Sequence, residues 1–390
     1  VAYQLILEPL EDRCLLSASL LNDIAAAAPM LRFDTATNEL VLRADAGDHT
    51  VREALTPDGF LDLTLDGRHH SSNPAAADFD RALAGARGAT LAGIRFDGGG
   101  DATLILDAQN LPGSLTVYAP GATVITNDVT VAGQLVVQAG QVTVSGALRG
   151  RAVALASAGW VTVQAAGRID ARQGALGGRI DVVADKFANS GQLHADGVTG
   201  GQVVIQAGSI LNAGPVTADA TGPGGNGGQV HLAFTGSYIG TVAALTSASG
   251  GAAGHGGELT IDGGTTGRLF SSGSQQATGS VGGAVDLFGR EVVLDGAGVD
   301  ASGQLGGGFI RIGGDFQGSN EVVANAQTVT VTGATAIRAD ALLLGGGGRV
   351  IVWSDQDTEL DGFVSARGGP NGGAGGFIEV SGKGSLIYAG

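Results

Sequence analysis

A glycine pair followed by two alternating aliphatic residues recurs eight times between Gly177 and Val380, as GGRIDV, GGQVVI, GGQVHL, GGELTI, GGAVDL, GGFIRI, GGRVIV and GGFIEV. The pairs start at residues 177, 200, 227, 256, 282, 307, 347 and 375. Recurrence at about 20 to 30 residues marks a stacked repeat, whose units bury their apolar faces only against one another. Side chains alternate across a strand, so each aliphatic pair, such as Ile180/Val182 or Ile310/Ile312, faces inward. The residue between them faces out: Asp181, Val204, His231, Thr260, Asp286, Arg311, Ile351 and Glu379.

A second short strand, an aliphatic and then Ala or Ser two residues later, precedes each pair. It reads Ile169/Ala171, Leu193/Ala195, Val216/Ala218, Leu245/Ser247, Leu269/Ser271, Val299/Ala301, Ile337/Ala339 and Val364/Ala366. The Gly-rich links between the two strands are expected to turn sharply through positive φ. The 40-residue step from 307 to 347 contains TVTVTG (Thr328 to Gly333) and predicts one additional or irregular coil. These features specify an all-β parallel β-helix, a β-solenoid of about 14 to 16 coils at ~4.8 Å each.

Composition agrees with a thin aliphatic core. Gly supplies 70 of 390 residues without a Gly-X-Y period, which excludes collagen, and aromatic content is 5%. A hydrophobic content of 43% is too high for a disordered Gly-rich linker. The formal charge of −16 argues against nucleic acid and anionic membranes as partners. Cys14 is the only cysteine, so no intrachain disulfide or Cys-rich zinc site can form. No stretch approaches the ~20 apolar residues of a membrane helix.

The chain divides into a leader over 1–30, an irregular β-rich start over 31–120 and a regular parallel β-helix over 121–390. In the middle part, GFLDLTLDG and GSLTVYAP alternate apolar and polar residues as half-buried strands do. Ala75 to Ala86 is expected to form a short helix capping the solenoid. The chain closes on the strand-like SLIYAG, so it is expected to be truncated or to assemble end to end.

Two resemblances bear on use. LEPLEDRCLLSA (Leu7 to Ala18) resembles a short N-terminal motif of very large exported proteins of planctomycete-type bacteria, which implies export. GGDFQG, TVTV, IRADA, GGRVIVWSD, SARGG and GGFIEVSGK occur in that order between Gly313 and Lys383, apart from the last glycine pairs they share. From about Val131 the repeats thereby resemble filamentous-haemagglutinin-type exoproteins, the large adhesins of two-partner secretion. The resemblance implies a right-handed parallel β-helix, secreted or held at the cell surface or outer membrane, with an outer-membrane export pore as partner. The family's Asn-Pro-rich secretion motifs are missing, and Asn73-Pro74 stands alone.

The alternative reading is catalytic, because parallel β-helices also suit polysaccharide lyases and glycoside hydrolases. Such enzymes need clustered carboxylates. Asp181, Asp286 and Glu379 are far apart in the repeat order, and Gly254-His255-Gly256 lies in a Gly-rich corner. Asp97 to Asp101, DGGGD, matches part of one calcium nonapeptide, a site that needs tandem copies, and so reads as a turn. His69 and His70 are adjacent and point apart, while His49, His194 and His231 occur singly. Trp353 reads as coil-edge packing, and the exposed apolar stripe is expected through Val204 and Ile351. The expectation is a non-enzymatic adhesin or matrix scaffold without catalytic, cofactor or metal residues, contacting surface or matrix glycans or proteins. A passive envelope filament is the third reading.

Overall fold

The computed structural model describes residues 30–43, 48–98, 101–173 and 175–389. The expected leader, Cys14 included, lies outside these residues. Among them there is no α-helix, and from Gly93 onward the strand pairing is parallel apart from a two-residue clip at Arg172–Gln173. The fold is an all-β parallel solenoid.

Each regular coil contributes to three ladders. The 11-residue strand Arg179–Asn189 bends midway. Its first half pairs with Ala152–Ser157 and its second half with Trp160–Val163, two separate strands of the preceding coil. A short strand, Gln192–His194, then joins an 11-stranded parallel sheet that forms the third wall. Two strands per coil are legible in the sequence and the second wall is not. In Gln134–Val144, Gln202–Asn212 and Gln229–Gly240 it continues the first wall past a single glycine, and in Arg179–Asn189 past none, so the repeat pattern merges the two.

The same merging misplaced two corner strands. Thr246 and Gln275 occupy the inward corner positions, with Ala248 and Ala277 as the small residues that follow. Leu269/Ser271 belongs to the second wall, where Arg268–Ser271 pairs with Glu291–Leu294. The aliphatic rule fails here because the interior is polar at this corner. Asn189, Asn212, Ser271 and Gln275 are all at most 1% exposed. Asn189 donates to Asn212 at 2.9 Å and accepts from the Gly191 amide at 3.0 Å, while Gln275 donates to Ser271 at 2.8 Å. A turn this tight leaves amides without strand partners, and buried amides need acceptors. Tyr238, fully buried beside Thr246 and Asn212, has its hydroxyl pKa raised by burial.

Seven of the eight aliphatic pairs are buried as expected, and Ile378 of the last is 43% exposed. The 40-residue step contains no extra coil. Thr328–Val331 is an ordinary second-wall strand between Glu291–Leu294 and Asp357–Leu360. The added length, residues 313–327, folds back over the outer face of the first wall.

The glycine pairs do a different task from the one expected. None of the sixteen glycines in the pairs has a φ in the left-handed range. All but Gly375, which has open space around it, are crowded by backbone. A Cβ on Gly307 would sit 2.0 Å from the Ala339 carbonyl oxygen, and one on Gly308 would sit 2.1 Å from that of Gly283. The same two clashes recur coil after coil: Gly200 meets Ala218 at 2.0 Å and Gly228 meets Gly201 at 2.0 Å.

The N-terminal part starts the parallel stack with Glu39–Arg43 and Thr50–Leu55, which pair with Gly93–Asp97 and Thr103–Asp107. Antiparallel partners Met30–Asp34, Leu61–Leu65 and Arg68–Ser71 flank them. The helix expected over 75–86 is instead a run of turns with one 3-10 turn, Arg81–Leu83. Asp78 and Asp80 are drawn to His69 and His70, which pins the segment by side chains rather than winding it. Inside this part Glu53 is wholly buried with Gln109 as its donor, and burial pushes its pKa up to about 8.

Candidate functional site

The residue directly after each glycine pair also faces outward, and stacking places these residues in one row. In register order the row is Arg179, Gln202, Gln229, Glu258, Ala284, Phe309, Arg349 and Phe377. Its first half is a relay of polar side chains. Arg179 donates to Gln202, Gln202 to Gln229 at 3.3 Å, and Gln229 to Glu258 at 3.2 Å.

Past Ala284 the row becomes a cation held between rings. The Arg349 guanidinium lies 5.6 Å from the Phe309 centroid, 5.1 Å from Phe377 and 5.0 Å from Phe316. Such contacts attract a cation through the ring quadrupole. The buried Arg349 Nε has no hydrogen-bond partner, and no carboxylate lies within 4.0 Å of the guanidinium among the described residues. Phe309, Arg349 and Phe377 form one side of an open groove of about 670 Å³ whose floor is the stacked glycine pairs from Gly282 to Gly376. A second groove of about 680 Å³ opens on the same edge beside Arg151, Leu176 and Arg179.

Phe316 comes from the 313–327 segment. Asp315 accepts from the Phe316 amide at 2.7 Å and from Asn320 at 2.7 Å, and the Gln317 amide donates to Glu379 at 3.2 Å. Gly318, at φ +59°, must be glycine for a second reason: a Cβ would lie 2.4 Å from Trp353 Nε1. The segment therefore explains Trp353, which packs against it, and Ile351, which is 0% exposed beneath it.

Arg311, by contrast, is fully matched. It grips Asp286 with two bonds of 2.7 Å and Asp315 at 2.9 Å. Burial raises the Asp286 pKa despite that pairing. Burial also acts on Asp315, but Asn320, the Phe316 amide and Arg311 together hold it below the usual range. His231, expected to be solvated, is half-buried and its pKa is lowered by burial.

Acids do converge on neighbouring coils, at the corner. Asp196 accepts from the Asp219 amide at 2.8 Å and from Thr217 at 2.7 Å, and Asp219 accepts from the Ser249 amide and Ser247 at 2.6 Å each. Asp340 likewise accepts from the Arg367 amide at 2.6 Å. Each carboxylate staples its coil to the next. Burial raises Asp219, whereas the bonds from His194, Thr217 and the Asp219 amide outweigh burial and lower Asp196. His49, His69, His70 and His194 each face an aspartate, and the described residues hold no group of three ligating side chains suited to a metal.

Sequence reasoning read only the second outward residue of each repeat and so missed Phe309, Arg349 and Phe377. Their signal was present in the first variable position. It also misplaced the exposed apolar stripe, because Val204 is 6% exposed and Ile351 is covered.

In overall shape the chain is similar to the HMW1 secretion domain from Haemophilus influenzae. The TM-score is 0.43, identity is 16%, and the match covers 94% of this chain and 95% of that one. No family model matches the sequence, and no curated protein does.

Proposed function

We propose that this chain is the extended scaffold of an exported, adhesin-type surface protein, right-handed, with some 14 to 16 coils at ~4.8 Å each. The observation that carries the reading is the glycine-floored groove along one edge, walled by Phe309, Arg349 and Phe377. Every coil offers the same backbone there, and only the row residue changes, which suits an elongated partner contacted at several points. The leader and repeat resemblances support export, with an outer-membrane pore as the partner in that step. Glycans or proteins of a cell surface or matrix are the ligand class.

The test is retention of the purified chain on intact cell surfaces and matrix glycans. Wild-type chain is expected to be retained, and the Arg349→Met, Phe377→Ala double variant to lose retention about tenfold. Equal retention of the double variant overturns the groove's role.

A catalytic reading draws on Asp196 and Asp219, adjacent carboxyls whose pKa values move apart as in acid–base pairs. Their commitment to the next coil's amides favours stapling. Release of reducing ends from an acidic polysaccharide, abolished by Asp219→Asn, would replace the scaffold reading.

A further inference from the structure

The second wall carries an apolar stripe. In the strands Gln202–Asn212, Gln229–Gly240, Arg268–Ser271 and Glu291–Leu294 the second half presents two consecutive apolar residues, one facing in and one facing out. Ile210, Tyr238, Leu269 and Val292 go into the core. Their neighbours Leu211, Ile239, Phe270 and Val293 point outward and align in unbroken register. Leu211, Ile239 and Phe270 are 42%, 43% and 38% exposed. On the first wall the 313–327 segment covers Ile351, but no described segment covers this stripe.

Four side chains at ~4.8 Å steps give a flat apolar strip about 14 Å long. Contiguous exposed apolar surface of this kind marks an interaction site. One end carries a lysine beside the exposed Asp185, and the other carries two acids. Lys186 stands beyond Leu211, stacked on Trp160 at 5.3 Å, and the exposed Asp357 and Glu359 stand two coils beyond Val293.

We propose that this wall is the interface of an antiparallel, side-by-side dimer of the chain. A two-fold axis along the strand direction, between the strands of Ile239 and Phe270, sets Ile239 against Phe270 and Leu211 against Val293. It places Lys186 of one copy opposite Thr328 of the other, one coil and about 4.8 Å short of Asp357, within reach of a lysine side chain. A parallel pair would gather both Lys186 ends together and both acidic ends together. The same two-fold opposes Ser209 to Glu291, one row away from the stripe. This dimer is separate from the groove and goes beyond the scaffold reading. It would present grooves on both copies.

The experiment uses the whole chain with Cys14→Ser, with sedimentation velocity as the first readout. A concentration-dependent monomer–dimer equilibrium is expected, and Ile239→Lys with Phe270→Lys should weaken it at least about tenfold while leaving the circular dichroism spectrum unchanged. Cross-linking with a short bismaleimide, which spans more than a direct disulfide can, is the second readout. Copies bearing Ser209→Cys mixed with copies bearing Glu291→Cys should cross-link across walls about 10 Å apart, whereas each alone should not, because like positions would also be offset by about 14 Å along the stack. A monomer at all concentrations, a dimer indifferent to the lysines, or cross-linking of Ser209→Cys with itself overturns the proposal. Loss of the dimer with surface retention intact would leave the scaffold reading standing.

Discussion

The row from Gln202 to Glu258 and the row from Phe309 to Phe377 occupy the same backbone, one step after the same glycines. In the first, every polar side chain has its neighbour as partner, so the surface is chemically closed. In the second, a guanidinium sits among three rings with no matching carboxylate, so the surface stays receptive. The difference teaches that this fold separates two tasks. Glycines and inward aliphatics fix the coil, and one free position per coil decides what the edge can hold.

If that separation is right, the backbone joints should be equally intolerant in both halves. Gly228→Ala and Gly308→Ala should each cost about 3 kcal/mol or more, read as local loss of hydrogen-exchange protection. A mild effect in one half only would break the comparison.

Glu53 supplies a reference outside both rows. Its pKa is raised from 4.5 to about 8, so the fold favours the protonated form. The stability of that part is full below pH 4.5 and is lost as pH rises through about 8. The loss should be on the order of 5 kcal/mol, and Glu53→Gln should flatten it in pH-dependent urea titrations. Neither row carries a buried carboxyl of this kind, so their protection should not follow this trend.

The cations should differ next. Arg349→Met removes contacts with three rings and should cost about 1 kcal/mol. Arg179→Met, half-exposed, should cost less than about 0.5 kcal/mol in thermal melts. Equal costs would mean that the aromatic setting adds nothing.

The smallest effect concerns His231, two residues along the strand from Gln229 and on the same outer face. Burial lowers its pKa, so the neutral form is favoured in the fold and stability falls as pH drops below 6.5. His231→Gln should remove this dependence, visible as exchange protection near residue 231 between pH 7 and the acid range. Persistence of the dependence would assign it elsewhere.

Much of the coil was readable in the sequence because inward aliphatics such as Val203/Ile205 obey a strict alternation. The first wall followed from that alone. The second wall did not, since Arg179–Asn189 bends without a turn residue and its inward Asn189 and Asn212 look like surface residues. The role of the glycines was legible as position but not as cause, because crowding by a neighbouring carbonyl leaves no trace in one strand's own pattern. Trp353 was legible as a packing residue but not its partner, and Ile351 was misread as exposed, because what lies over this strand comes from 26 or more residues earlier in the chain, around Gly318 and Asn325.

The carbonyl that faces each glycine pair has a consequence for how such a chain can change over generations. The joints between coils from Gly177 to Gly348 are nearly the same joint, admitting hydrogen and nothing larger. A coil copied or deleted at such a joint would meet the same glycines on either side, so the joint itself does not fix how many coils the chain carries; the contacts particular to each coil do.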